Sequence, residues 1–174
     1  RKESSAASDV YKRQQYSQSK ITVVGFCFGG HAALITSTLP DVDITFDFYG
    51  AGVATTRPGG GPPSLELLSQ TSGKLTCICG TGDPLIPEAD RTSIQQALRE
   101  EDPSEIRLSY VEIEDADHGF MCEQRASFSP NASKLGWQLL MNLKNKGESL
   151  GPYLAMNPWV DSMPKIHLGL LIEK

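Results

Sequence analysis

Three residues of this chain have the types and the order for nucleophilic acyl chemistry: Cys27, Asp83 and His118. A thiol attacks as its thiolate and so needs a base beside it. Imidazole is the usual base, and a carboxylate orients that imidazole and stabilises its protonated form. Cys27 stands in Gly25-Phe-Cys-Phe-Gly29, a G-x-nucleophile-x-G turn. Such an elbow holds its central residue in a strained conformation, and side chains at the flanking glycines are expected to collide with the strand or helix. Asp83 lies in Gly80-Thr-Gly-Asp-Pro-Leu-Ile-Pro87, and His118 in Asp115-Ala-Asp-His-Gly-Phe120. Singly, each has a plainer reading: a buried structural cysteine, a turn or capping aspartate, a loop histidine. The ordered set is much harder to obtain by accident, because each member follows a strand-like run.

Those runs are Ile21–Val24, Asp43–Tyr49, Leu75–Gly80 and Arg107–Ile113. Being mostly unbroken apolar or β-branched, they suit a parallel sheet covered on both faces. Helical patterns fall at Gly30–Leu39, Pro87–Glu101 and Pro130–Asn145. Proline is favoured in a first turn, Glu88 suits the helix dipole, and Gly147 marks the end of the last pattern. The alternation predicts an α/β fold. It places Cys27 at the sheet's carboxyl edge, beside a helix amino terminus whose dipole favours an anionic sulfur. His31 is expected on that helix, facing solvent or packing, with Trp137 and Met141 as packing residues of the last one. The Gly- and Pro-rich stretch Thr56 to Pro63 is a surface loop. Residues 1–19, polar and serine-rich, read as a non-native or disordered leader, 20–146 as the domain, and 147–174 as an unassigned tail in which His167 has no role.

A chain of 174 residues is one domain by default, and its net charge of -5 argues against nucleic acid or an anionic membrane as partner. No apolar run approaches the length of a membrane span. Of the four cysteines, Cys77 and Cys79 share a strand face, too close to pair comfortably, and no second ligand pair stands at zinc spacing. Cys77, Cys79 and Cys122 therefore read as reduced thiols of a cytoplasmic protein with no metal or other cofactor. The oligomeric state is open.

At these residues the chain resembles the dienelactone hydrolase family of carboxymethylenebutenolidase-like enzymes, within the α/β-hydrolase superfamily. The resemblance runs from about Lys20 to Lys146. It rests on the Gly-Phe-Cys-Phe-Gly-Gly elbow, the Gly-Asp-Pro-Leu-Ile-Pro and Ala-Asp-His-Gly-Phe loops, and the sequel Cys122 to Ala132 leading to Trp137. It implies a three-layer, mostly parallel sheet with helices on both faces. It further implies a hydrolase of lactones and carboxylic esters, with Cys27, Asp83 and His118 as triad, the Phe28 N–H as oxyanion donor, and Arg125 holding a substrate carboxylate. A structural salt bridge is an equal alternative for Arg125. Phe128 stands where many relatives carry tyrosine, which removes a hydroxyl contact near the site. The resemblance also implies strands upstream of the elbow strand, so the chain reads as amino-terminally truncated, short of a second oxyanion donor. A non-catalytic thiol redox or binding protein, or an inactive fragment, are the rival readings.

Overall fold

The computed structural model describes residues 20–146. The expected leader (1–19) and tail (147–174) lie outside the described residues. Four strands pair in chain order, all parallel: β1 (Thr22–Phe26), β2 (Ile44–Phe48), β3 (Lys74–Gly80) and β4 (Leu108–Ile113). Parallel neighbours need a crossover between them. Here α1 (Phe28–Thr36), a 3-10 helix (Ser64–Gln70) and α2 (Glu88–Glu101) fill the three crossovers, and α3 (Pro130–Lys146) follows β4.

Side chains alternate across the sheet, so β2 shows how both faces are covered. Asp47 points to one face, where Gly30 of α1 lies against its carboxyl. Phe48 points to the other, where a Cβ on Gly136 of α3 would lie 3.2 Å from its ring. Phe46, Phe48, Leu75, Ile78 and Leu108 are fully buried, and each contributes about 1.5–3 kcal/mol of apolar burial. Among the described residues, the outer edge of β1 has no partner strand.

The expected strands and helices are all present, with three differences. Helix α1 begins at Phe28 rather than Gly30, because the turn at Cys27 leads directly into helical hydrogen bonding. The 3-10 helix was not foreseen, since the prolines before Ser64 read only as loop. Met141 is 37% exposed rather than packed, and Trp137 is half-buried.

His31 also departs from a solvent-facing role, being 2% exposed. A carbonyl can only accept, so Nδ1–H donates to Ala51 O at 2.9 Å; in the neutral ring Nε2 then accepts from the Ser64 hydroxyl at 2.7 Å. The ring thereby ties the elbow helix to Ala51, shortly after β2, and to Ser64, just past the glycine-rich loop. It must be neutral to do so, and burial lowers its pKa from the usual 6.5. The unfolded ring takes up a proton more readily than the folded one, so this stabilisation is present above pH 6.5 and is lost as pH falls below it. Thermal melts of wild type and His31→Gln should differ by about 1–2 kcal/mol at neutral pH, and the gap should narrow on acidification.

Candidate active site

At the elbow Cys27 has φ 58 and ψ -126, a conformation that costs an L residue energy and persists only when its surroundings hold it. They do. The Cys27 N–H donates to Phe48 O at 3.0 Å, while its carbonyl accepts from the Gly30 and His31 N–H groups at 2.9 and 3.2 Å. A Cβ on Gly25 would sit 1.9 Å from Gly29 O, and one on Gly30 2.7 Å from Phe48 O. Gly29 is different. Nothing lies within 4 Å of where its Cβ would be, so the expected collision at that flank is absent; it sits on the exposed side of the first helical turn.

Asp83 follows β3 and His118 follows β4, and hydrogen bonds from backbone N–H groups sew the two loops together. Gly82 N–H donates to Ala116 O at 3.1 Å, and Asp115 N–H to Thr81 Oγ1 at 2.8 Å. The close approach depends on Gly80, where a Cβ would lie 2.0 Å from Ala116 O. The two side chains meet in the interior. Asp83 Oδ2 lies 2.8 Å from His118 Nδ1, with side-chain exposures of 0% and 7%. Asp83 Oδ1 is engaged separately, accepting from Leu85 N–H at 2.8 Å. His118 Nε2 is 3.0 Å from Cys27 Sγ. With Nδ1–H donating to the carboxylate, Nε2 is left to accept the thiol proton. The structure thus brings together the three residues singled out from the sequence, in one contact chain at the carboxyl edge of the sheet.

Tyr49, which sequence reasoning passed over, forms the wall behind the imidazole. It follows β2 directly at φ 42, is 3% exposed, and sets its ring edge-on to His118 at 5.3 Å and to Phe120 at 5.0 Å. Burial pushes its phenol well up, so the hydroxyl stays protonated. The signal for it was an aromatic at the end of a strand, immediately before Gly50. The Ser127 hydroxyl donates to His118 O at 2.7 Å and braces the loop from the other side.

Phe28 is the first residue of α1, where helix geometry leaves the N–H without an intrahelical acceptor. Its side chain is 66% exposed beside the sulfur. Arg125 lies over Gly119, with Nη1 3.1 Å from where a glycine Cβ would be, and is exposed. No carboxylate among the described residues pairs with it, so the alternative of a structural salt bridge has no acceptor there. Phe128 is half-buried. No group of three or more His, Cys, Asp or Glu among the described residues could hold a metal, and no helix there is long and apolar enough to cross a membrane.

The four thiols are free and differ sharply in setting. Burial pushes Cys77 and Cys79 well up, reinforced by Asp47, so both are held as unreactive thiols. Cys27 is half-buried, in contact with an imidazole at a helix amino terminus. With limiting iodoacetamide, Cys27 should be alkylated first. Preferential labelling of Cys122, which is also half-buried, would contradict this ordering.

The dienelactone hydrolase family model matches residues 2–146. A provisionally named carboxymethylenebutenolidase of Synechocystis sp. is 36% identical over 124 residues, which is 71% of this chain and 49% of that protein. The chain therefore spans about half the length of the curated relative it matches. Among solved structures, a provisionally named dienelactone hydrolase of Klebsiella pneumoniae superposes with a TM-score of 0.65 at 23% identity, covering 72% of this chain and 51% of that one. A dienelactone hydrolase-like promiscuous phosphotriesterase from metagenomic libraries gives 0.60 at 17% identity, covering 83% and 69%. At such identities these two likenesses bear on the fold: a parallel sheet flanked by helices, of the α/β-hydrolase kind. With the family model matched over most of its length, the chain belongs to the dienelactone hydrolase family.

Proposed function

We propose that this chain hydrolyses lactones or related carboxylic esters through a thioester on Cys27. The observation that carries the reading is the contact chain Cys27 Sγ–His118 Nε2–His118 Nδ1–Asp83 Oδ2, at 3.0 and 2.8 Å. His118 Nε2 takes the thiol proton as sulfur attacks the acyl carbon. The developing oxyanion is received by the Phe28 N–H, a kind of donor worth about 3 kcal/mol when preorganised. As the tetrahedral intermediate collapses, the acyl C–O bond breaks and the leaving alkoxide takes the proton back from Nε2. A water then gives its proton to Nε2 and attacks the thioester. Sulfur leaves with that proton, and the acid is released. Asp83 keeps the productive tautomer throughout and stabilises the imidazolium. Arg125, exposed at the rim and without an acidic partner among the described residues, is the group we assign to a substrate carboxylate. Four free thiols fit a reducing compartment, so cytoplasmic location is part of the proposal.

The test is to trap the intermediate. The 174-residue chain is mixed with an activated aryl ester, quenched in acid, and its intact mass and digest are read. The expected result is one acyl group per chain, on Cys27, with a matching burst of phenol. Repeated turnover with no acyl adduct would contradict the covalent route. Oxidation of Cys27 by peroxide, with neither adduct nor turnover, would favour a redox role.

A further inference from the structure

Strand β2 carries an acid that the proposed chemistry does not use. Asp47 lies between Phe46 and Phe48 and is 2% exposed. Register sets it between Gly25 of β1 and Cys77 of β3. Two glycine backbones close over it. A Cβ on Gly30 would lie 2.3 Å from Oδ1, and one on Gly50 2.2 Å from Oδ1 and 2.6 Å from Oδ2. Cys77 Sγ lies 4.0 Å from Oδ2, while buried Oδ1 has no hydrogen-bond partner among the described residues. Gly30 belongs to the first turn of the helix that presents Cys27. Gly50 follows Tyr49, whose ring backs His118. The carboxyl is thus wedged between the carrier of the sulfur and the wall of the imidazole.

We propose that Asp47 is a positioning residue that works in its neutral form, holding the Cys27 elbow against the Tyr49–His118 wall. The proposal rests on the hydrolase reading. A carboxylate in a dry site is stable when several donors reach it. Here one weak thiol donor does, and one oxygen is orphaned among the described residues. The groups that face Asp47 are Gly30 from α1, Gly50 from the following loop, Gly25 from β1, and Cys77 and Cys79 from β3. Both of these thiols are held neutral, and no basic side chain among the described residues pairs with the carboxyl. Ionisation therefore calls water into the slot. Water fits only if the Gly30 and Gly50 backbones part, and parting them moves sulfur away from imidazole. Burial pushes the Asp47 carboxyl up to about 7, which brings this event into the working range.

The experiment compares wild type and Asp47→Asn by the pH profile of kcat/KM for p-nitrophenyl acetate on both sides of pH 7, and by pH-difference infrared spectroscopy. Asparagine keeps the shape and cannot ionise. Wild type should show an alkaline limb approaching a tenfold fall per pH unit, and a protonated-carboxyl band that titrates with it. Asp47→Asn should lack both, with activity on the acid side within about threefold of wild type. The same alkaline limb in both proteins, or a carboxyl band that survives in Asp47→Asn, would overturn the proposal. Absence of turnover by wild type at every pH would sink the hydrolase reading, and the positioning role with it, whatever the band shows.

Discussion

Replacing Cys27 by alanine should lower ester turnover by about four to six orders of magnitude while leaving the fold intact. Members of such a constellation act as a unit, so loss of the nucleophile alone removes nearly all of the covalent route. The backbone gives no reason for collapse. Alanine meets the same penalty at φ 58 as cysteine does, and the hydrogen bonds that hold the turn are made by main-chain atoms. Thermal unfolding should therefore move little, and steady-state kinetics on a purified, folded variant read the chemistry directly. Serine at the same position is a finer probe. Its hydroxyl is far harder to ionise than a thiol and receives no compensating change in the base, so Cys27→Ser should also be strongly impaired. Turnover by Cys27→Ala within tenfold of wild type would place the nucleophile elsewhere.

The parts of this site that were legible in the sequence are those whose physics is local. A parallel sheet buried on both faces writes its strands as continuous apolar runs, so Leu75 to Gly80 and Arg107 to Ile113 stood out without any knowledge of partners. The elbow was legible because a positive φ at Cys27 demands a glycine-flanked turn, and because Gly25 cannot carry a side chain beside Gly29 O. Asp83 and His118 could be placed by chain order at strand ends, though their 2.8 Å contact could not be read from spacing.

What stayed hidden depends on partners brought from far along the chain. His31 has apolar neighbours in sequence and reads as a surface or packing histidine. Only the fold brings it Ala51 O and Ser64 Oγ, which let it be buried. Asp47 is the more instructive miss. An acidic residue between Phe46 and Phe48, in a run otherwise fit for the interior, is costly to bury. The sequence could not say that two glycine backbones from different segments close over it. The 3-10 helix was missed for a different reason. Seven residues of 3-10 helix are too few to show a periodicity, and its start at Ser64 is hidden behind Pro62 and Pro63.

Exchange of Asp83 for asparagine should cost about ten-thousandfold in turnover with little loss of stability, and the two carboxyl contacts explain why. Oδ1 already accepts from the Leu85 N–H at 2.8 Å, and Oδ2 accepts from His118 Nδ1–H at 2.8 Å. Asparagine has only one oxygen for two donors. With its oxygen on the Leu85 amide, it turns an NH2 toward Nδ1, which can be satisfied only if Nδ1 becomes the acceptor. The ring proton then sits on Nε2, facing Cys27 Sγ, and the base can no longer take the thiol proton. All hydrogen bonds in the buried corner are still made, so the fold is spared while the tautomer is wrong. Loss of the orienting acid in a triad of this logic lowers turnover by about that amount. Alkylation of Cys27 by iodoacetamide should slow in the same variant, since it too needs the imidazole to ionise the thiol. This readout does not depend on choosing the right ester. An Asp83→Asn protein that keeps both its turnover and its alkylation rate within tenfold of wild type would mean that His118 is oriented by something other than Asp83.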